Sequence, residues 1–66
     1  MKYHYFKDNQ LLGLIEEEEG IGFYLYIYNP ETNKCIADHL QDTYELAQQQ
    51  AWEDYKIPRN DWKNCK

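Results

Sequence analysis

The segment "IGFYLYIY" (21–28) constrains this chain more than any other stretch. Read by alternation, it places Ile21, Phe23, Leu25 and Ile27 on one side and Tyr24, Tyr26 and Tyr28 on the other. β-branched and aromatic residues at this density favour a pleated strand with neighbours on both sides. The aliphatic row reads as core. The tyrosine row needs a different explanation, and the rest of the chain supplies its terms.

Three further strands are expected around this central one. "KYHYFK" (2–7) is rich in strand formers, and "KDNQ" (7–10) is turn chemistry. "LLGLIE" (11–16) reads as a second strand, in which Gly13 marks a bulge or a close backbone approach. "EEEEG" (16–20) separates it from the central strand. "NPET" (29–32) is a turn, with Asn29 and Pro30 at the first two positions, and "KCIADHL" (34–40) returns as a fourth strand. Short connections between successive strands make an antiparallel meander.

The period then changes. "DTYELAQQQAWEDYK" (42–56) contains helix formers and neither Gly nor Pro. Asp42 is the expected N-cap, and Glu45 completes a capping box three residues on. Ile57 precedes Pro58, which stops the helix near Lys56. At 100° per residue Tyr44, Ala47, Ala51 and Tyr55 form one stripe, with Leu46 on its flank. Ala47 and Ala51 allow close approach to a sheet, and the Ile21/Phe23/Leu25/Ile27 row supplies the bulk opposite. Trp62 is expected to fold back with Ile57 at the helix end. The fold class is α+β: an antiparallel meander of about four strands with one C-terminal helix on one face.

Sixty-six residues make one domain, 1–66, and a domain of this size buries only about 60% of its unfolded surface. Seven tyrosines and an aromatic content of 17% suit a small sheet protein, because each ring covers a large area. The net charge is −5, and the seven basic residues are scattered, with Lys63 and Lys66 in an expected loose tail. Nucleic-acid binding calls for clustered cations, and the RNA recognition fold needs a second helix that this chain has no room for. The N-terminus has no apolar signal-peptide run, and no segment approaches the roughly 20 apolar residues of a membrane span. A soluble, cytoplasmic protein with no membrane or nucleic-acid partner is expected.

Chemistry-bearing residues are few. His4, His39, Cys35 and Cys65 lack the spacings of a zinc site. Cys35 and His39 lie about 13 Å apart in an extended strand at ~3.3 Å per residue, too far for a dyad. Cys35 is expected in the core and His39 at the strand-to-helix corner, while a Cys35–Cys65 bridge is the alternative to two free thiols. An enzyme would require His4 and Cys35 to meet in a cleft. Glu16–Glu19 read as a solvated hairpin loop or as an acidic patch for a basic partner, without the ligand spacing of a calcium loop. No Gly-rich phosphate loop opens a helix. No catalytic residue, metal or cofactor is assigned.

The segment "LQDTYELAQQQAWEDYKIPRNDW" (40–62) resembles the C-terminal part of small uncharacterised bacterial proteins. In these a strand leads to D-T-x-E-x-A-x-x-Q-A, then an aromatic, an I-P step and a Trp. The matching positions are Asp42, Thr43, Glu45, Ala47, Gln50, Ala51, Tyr55, Ile57, Pro58 and Trp62. The resemblance covers about a third of the chain. It implies a bacterial origin and the sheet-plus-helix arrangement, and carries no activity.

One helix covers one face of a sheet, so Tyr24, Tyr26 and Tyr28 belong to a face without a second layer. They either pair with neighbours and keep their hydroxyls wet, or form a contact surface. The expected function is a non-enzymatic protein-interaction module using that face, with self-association into a homodimer as the simplest case. The alternative is an acidic inhibitor or immunity-type protein that binds a basic partner such as a nuclease.

Overall fold

The computed structural model describes residues 1–64. Five strands, β1 (Lys2–Lys7), β2 (Gln10–Glu18), β3 (Gly22–Tyr28), β4 (Cys35–Gln41) and β5 (Lys63–Asn64), form one antiparallel sheet in the order β4-β3-β2-β1-β5. One helix, α1 (Tyr44–Tyr55), packs across one face. The architecture is the expected α+β meander with a fifth strand added.

Turn chemistry sets the hairpins. Asp8 and Asn9 both have positive φ, 53° and 64°, between the paired residues Lys7 and Gln10. This is the mirror-image turn whose twist matches two antiparallel strands. Between β3 and β4 the Asn29 side chain accepts from the Glu31 amide at 2.8 Å, and the Asn29 amide donates to the Lys34 carbonyl at 2.9 Å. Pro30 has no N–H to leave unpaired there.

The β2–β3 hairpin is longer than expected. Glu16, Glu17 and Glu18 lie inside β2, opposite Tyr24, Phe23 and Gly22. Glu16–Glu18 are therefore strand rather than loop, with carboxylates that reach solvent while the backbone stays paired, and Glu19 alone of the run falls in the turn. The turn is closed by the Ile21 amide on the Glu18 carbonyl at 2.9 Å. Ile21 thus leaves the aliphatic row and is 54% exposed. Gly22 lies at φ 148°, and a Cβ there would collide with the Gln41 carbonyl oxygen.

The core is Ile15, Leu25, Ile27, Ala47, Ala51, Ile57 and Trp62. Ala47 and Ala51 are fully buried against the sheet, and Tyr44 and Tyr55 pack at the two ends of their stripe. Tyr3 stacks on Tyr44 with ring centroids 4.1 Å apart. The helix begins one residue later than the sequence suggests. Thr43, not Asp42, is the N-cap, and its hydroxyl accepts from the Leu46 amide at 3.1 Å. Leu46 then holds the third helical position, so Glu45 closes no capping box. At the other end Lys56 adopts the left-handed conformation (φ 59°). Its amide donates to the Trp52 carbonyl and that of Ile57 to the Ala51 carbonyl, which satisfies carbonyls a helix end leaves open.

Beyond the helix, Pro58 starts a 3₁₀ turn, Arg59–Asp61, that swings the chain back toward β1. Trp62 is buried over Gly13, where a Cβ would lie 2.8 Å from the ring. Gly13 also adjoins a bulge: Tyr5 pairs with Gly13 but Phe6 pairs with Leu11, which leaves Leu12 extra. With Trp62 anchored, the next two residues fall on the free edge of β1, Lys63 opposite His4 and Asn64 opposite Tyr3. Lys63 is therefore a strand residue, not part of a loose tail. Two polar residues have no alternation to read, and tertiary anchoring alone makes them a strand. Cys65 and Lys66 lie outside the described residues, and with them the Cys35–Cys65 bridge. No helix among the described residues is long and apolar enough to cross a membrane.

Candidate interaction face

The face away from the helix is built from the strand register. Residues directly opposite in paired strands share a face. One row crosses all five strands: Asp38 (β4), Tyr26 (β3), Leu14 (β2), His4 (β1) and Lys63 (β5). A second row runs Leu40, Tyr24, Glu16 and Lys2. Toward the other end Cys35 pairs with Tyr28, and Phe6 with Leu11.

Tyr24, Tyr26 and Tyr28 all lie on this face, and each is half-buried. The rings of Tyr24 and Tyr26 stack at 5.9 Å with 20° between their planes. His4 meets Phe6 edge-on at 4.7 Å. Phe6 and Leu40 are 50% and 48% exposed, so the aromatic row continues into apolar neighbours on both sides. Phe6, Leu11, Tyr28 and Pro30 line a shallow depression at one end.

Charge on the face is divided. Asp38 lies opposite Tyr26, and Glu16 lies opposite the neighbouring Tyr24. Partial burial first, and then these carboxylates and the neighbouring tyrosines, push the Tyr26 hydroxyl above its ordinary range. Burial likewise raises Tyr28, with Cys35 and Glu16 adding to it and Lys2 opposing it. Lys2 reaches Glu16 at 3.5 Å. The register places Asp38 opposite Tyr26 and Leu40 opposite Tyr24. A second bulge, at Ile36, then shifts the phase: Ile27 pairs with Ala37, yet Tyr28 pairs with Cys35. Cys35 is consequently exposed, not in the core, and its thiol donates to the Ala37 carbonyl at 3.4 Å.

The remaining candidates do not converge. His4 is on β1 and Cys35 on β4, three strand spacings apart, or about 14 Å at ~4.8 Å each. His39 lies within β4, on the helix side rather than at a corner. Its Nδ1 takes the Gln50 amide at 3.0 Å, and its Nε2 is 2.8 Å from the Tyr55 hydroxyl. With Gln50 donating, the ring is the neutral tautomer that donates from Nε2 to Tyr55. Gln41 donates to Gln50 at 2.6 Å, so this cluster ties β4 to α1. Gln48 bonds the Tyr44 hydroxyl and the Arg59 carbonyl, and Gln49 bonds Glu53, which gives each residue of the triple glutamine a partner. Among the described residues, no three His, Cys, Asp or Glu side chains are placed to hold a metal ion.

No family model, curated protein or solved structure matches the chain.

Proposed function

We propose that this chain is a small, non-enzymatic protein-interaction module of the bacterial cytoplasm, with Tyr24, Tyr26 and Tyr28 at the centre of its contact surface. One observation carries the reading: among the described residues the sheet has a single covering layer, and its other face sets Tyr24, Tyr26, Leu14, His4 and Phe6 side by side with no described residue packed over them. Contiguous apolar surface of this kind marks interaction sites, and tyrosine suits them because it brings a large rigid area with little entropy to lose. The test is a native pull-down with mass spectrometry on the wild type and on a Tyr24/Tyr26/Tyr28→Ser variant that retains its circular dichroism spectrum. Partner recovery, including recovery of an untagged copy of the chain, is expected to disappear in the variant. Identical recovery by both proteins would overturn the reading.

A second reading has its own observation. Asp38 lies opposite Tyr26 and Glu16 opposite the neighbouring Tyr24, a grouping that suits a cationic side chain laid on the stacked rings. An acidic inhibitor or immunity-type protein would use it to hold a basic partner such as a nuclease. Its association would weaken steeply with salt, and salt-insensitive capture would exclude it.

A further inference from the structure

We infer that the occupant of the open face is a second copy of this chain, packed face to face about a two-fold axis running along β2. The inference rests on the reading of that face as a contact surface and names its partner.

The five-strand row is the basis. From one edge to the other it reads Asp38, Tyr26, Leu14, His4, Lys63: anion, phenol, aliphatic, imidazole, cation. β2 is the middle strand, with two strands on each side. A two-fold axis along β2 reverses the row in the second copy. Asp38 then faces Lys63 of the second copy, Tyr26 faces its His4, and Leu14 faces its Leu14. All three pairings are favourable, and symmetry makes the outer two occur twice. An axis across the strands along this same row would set Asp38 on Asp38 and Lys63 on Lys63, which like-charge repulsion opposes.

The chosen axis also brings the β2 glutamates of the two copies toward each other. Each Glu16 already carries Lys2 at 3.5 Å, so the four charges sum to zero. Packed sheets cross at roughly 30°, and strands that cross at Leu14 diverge toward Glu18. The size is adequate as well. The two longer dimensions of the molecule, 33 and 23 Å, bound a face of the same order as the roughly 800 Å² per partner of a standard interface.

Sedimentation equilibrium from micromolar to millimolar concentration tests this with four proteins: wild type, Asp38→Lys, Lys63→Asp and the double reversal. Both side chains are exposed, so the substitutions leave the fold intact, and circular dichroism checks that. Wild type is expected to dimerise. Each single reversal should weaken dimerisation by about tenfold or more, and the double reversal should return it to within about threefold of wild type. Leu14→Glu should abolish it. A wild type that stays monomeric at millimolar concentration overturns the inference, as does a dimer indifferent to the reversals or to Leu14→Glu, or a double reversal that fails to restore. The contact-surface reading is decided separately. If the chain is monomeric but the triple-serine variant still loses a captured protein, the face binds something other than itself.

Discussion

Leu25 and Tyr26 are adjacent in one strand and belong to two different surfaces. Leu25 is fully buried between the sheet and Ala47 and Ala51, whereas the Tyr26 ring lies half-buried against Tyr24 with no layer of described residues above it. The helix side is closed by shape. Small alanines meet large β-sheet residues there, and Trp62 lies flat where Gly13 has no side chain. The open side is covered by none of the described residues, and its own residues are amphipathic rather than aliphatic. A domain this small has stability to lose on the first side and binding to gain on the second.

The largest effect should separate these neighbours directly. Leu25→Ala leaves a cavity in a core of seven residues and should cost about 2–5 kcal/mol, close to the whole stability of such a domain. Urea unfolding at low concentration should find Tyr26→Ala costing roughly 1 kcal/mol or less by comparison. Equal losses would mean that the open face is not open. Next comes Gly13→Ala, whose new Cβ would press on the Trp62 ring from 2.8 Å. Overpacking of this kind costs about 1–3 kcal/mol, and it should also raise amide exchange in Lys63 and Asn64, which depend on that anchor.

A smaller effect sharpens the helix boundary. Thr43→Ala removes the hydroxyl that accepts from Leu46 and should lower the unfolding free energy by about 1 kcal/mol, while Asp42→Ala should do much less. The reverse order would restore Asp42 as the cap. The mildest contrast appears at alkaline pH. Burial, Tyr3 and Glu45 push the Tyr44 hydroxyl up to about 12, from an ordinary value of 10.0. The folded state therefore keeps this proton while the unfolded chain releases it. Stability is full below pH 10 and declines between about pH 10 and 12. Tyr44→Phe should flatten that decline in pH-dependent urea unfolding. In the native protein, phenolate absorbance should show Tyr26 and Tyr28 ionising late as well.

Much of the fold was legible because it follows from short-range periodicity. Four strands of an antiparallel meander, the Ala47/Ala51 stripe and the helix stop before Pro58 can be read locally, whereas strand order and register cannot. The errors share a cause. Glu16–Glu18 look like a loop by composition, yet pairing with β3 makes them strand. Asp42 and Thr43 are both good caps, and the path of the chain out of β4 selects Thr43. Lys63 and Asn64 carry no pattern at all. Of the candidate face, the three tyrosines were readable from parity. Leu14, Glu16, His4, Phe6, Asp38 and Leu40 were not assignable to it, because their membership depends on register and on two bulges.

Which residues alternate within each strand, and which helix stripe is small enough to meet a sheet, follow from the residue order alone, since both depend on backbone geometry over a few residues. Which strands' rows line up across the sheet is set instead by pairing between distant segments. The extra residues at Leu12 and Ile36 shift the phase between neighbours, and Trp62 on Gly13 brings β5 into place. Asp38, Tyr26, Leu14, His4 and Lys63 are scattered over sixty positions of chain, and long-range pairing alone sets them in one line.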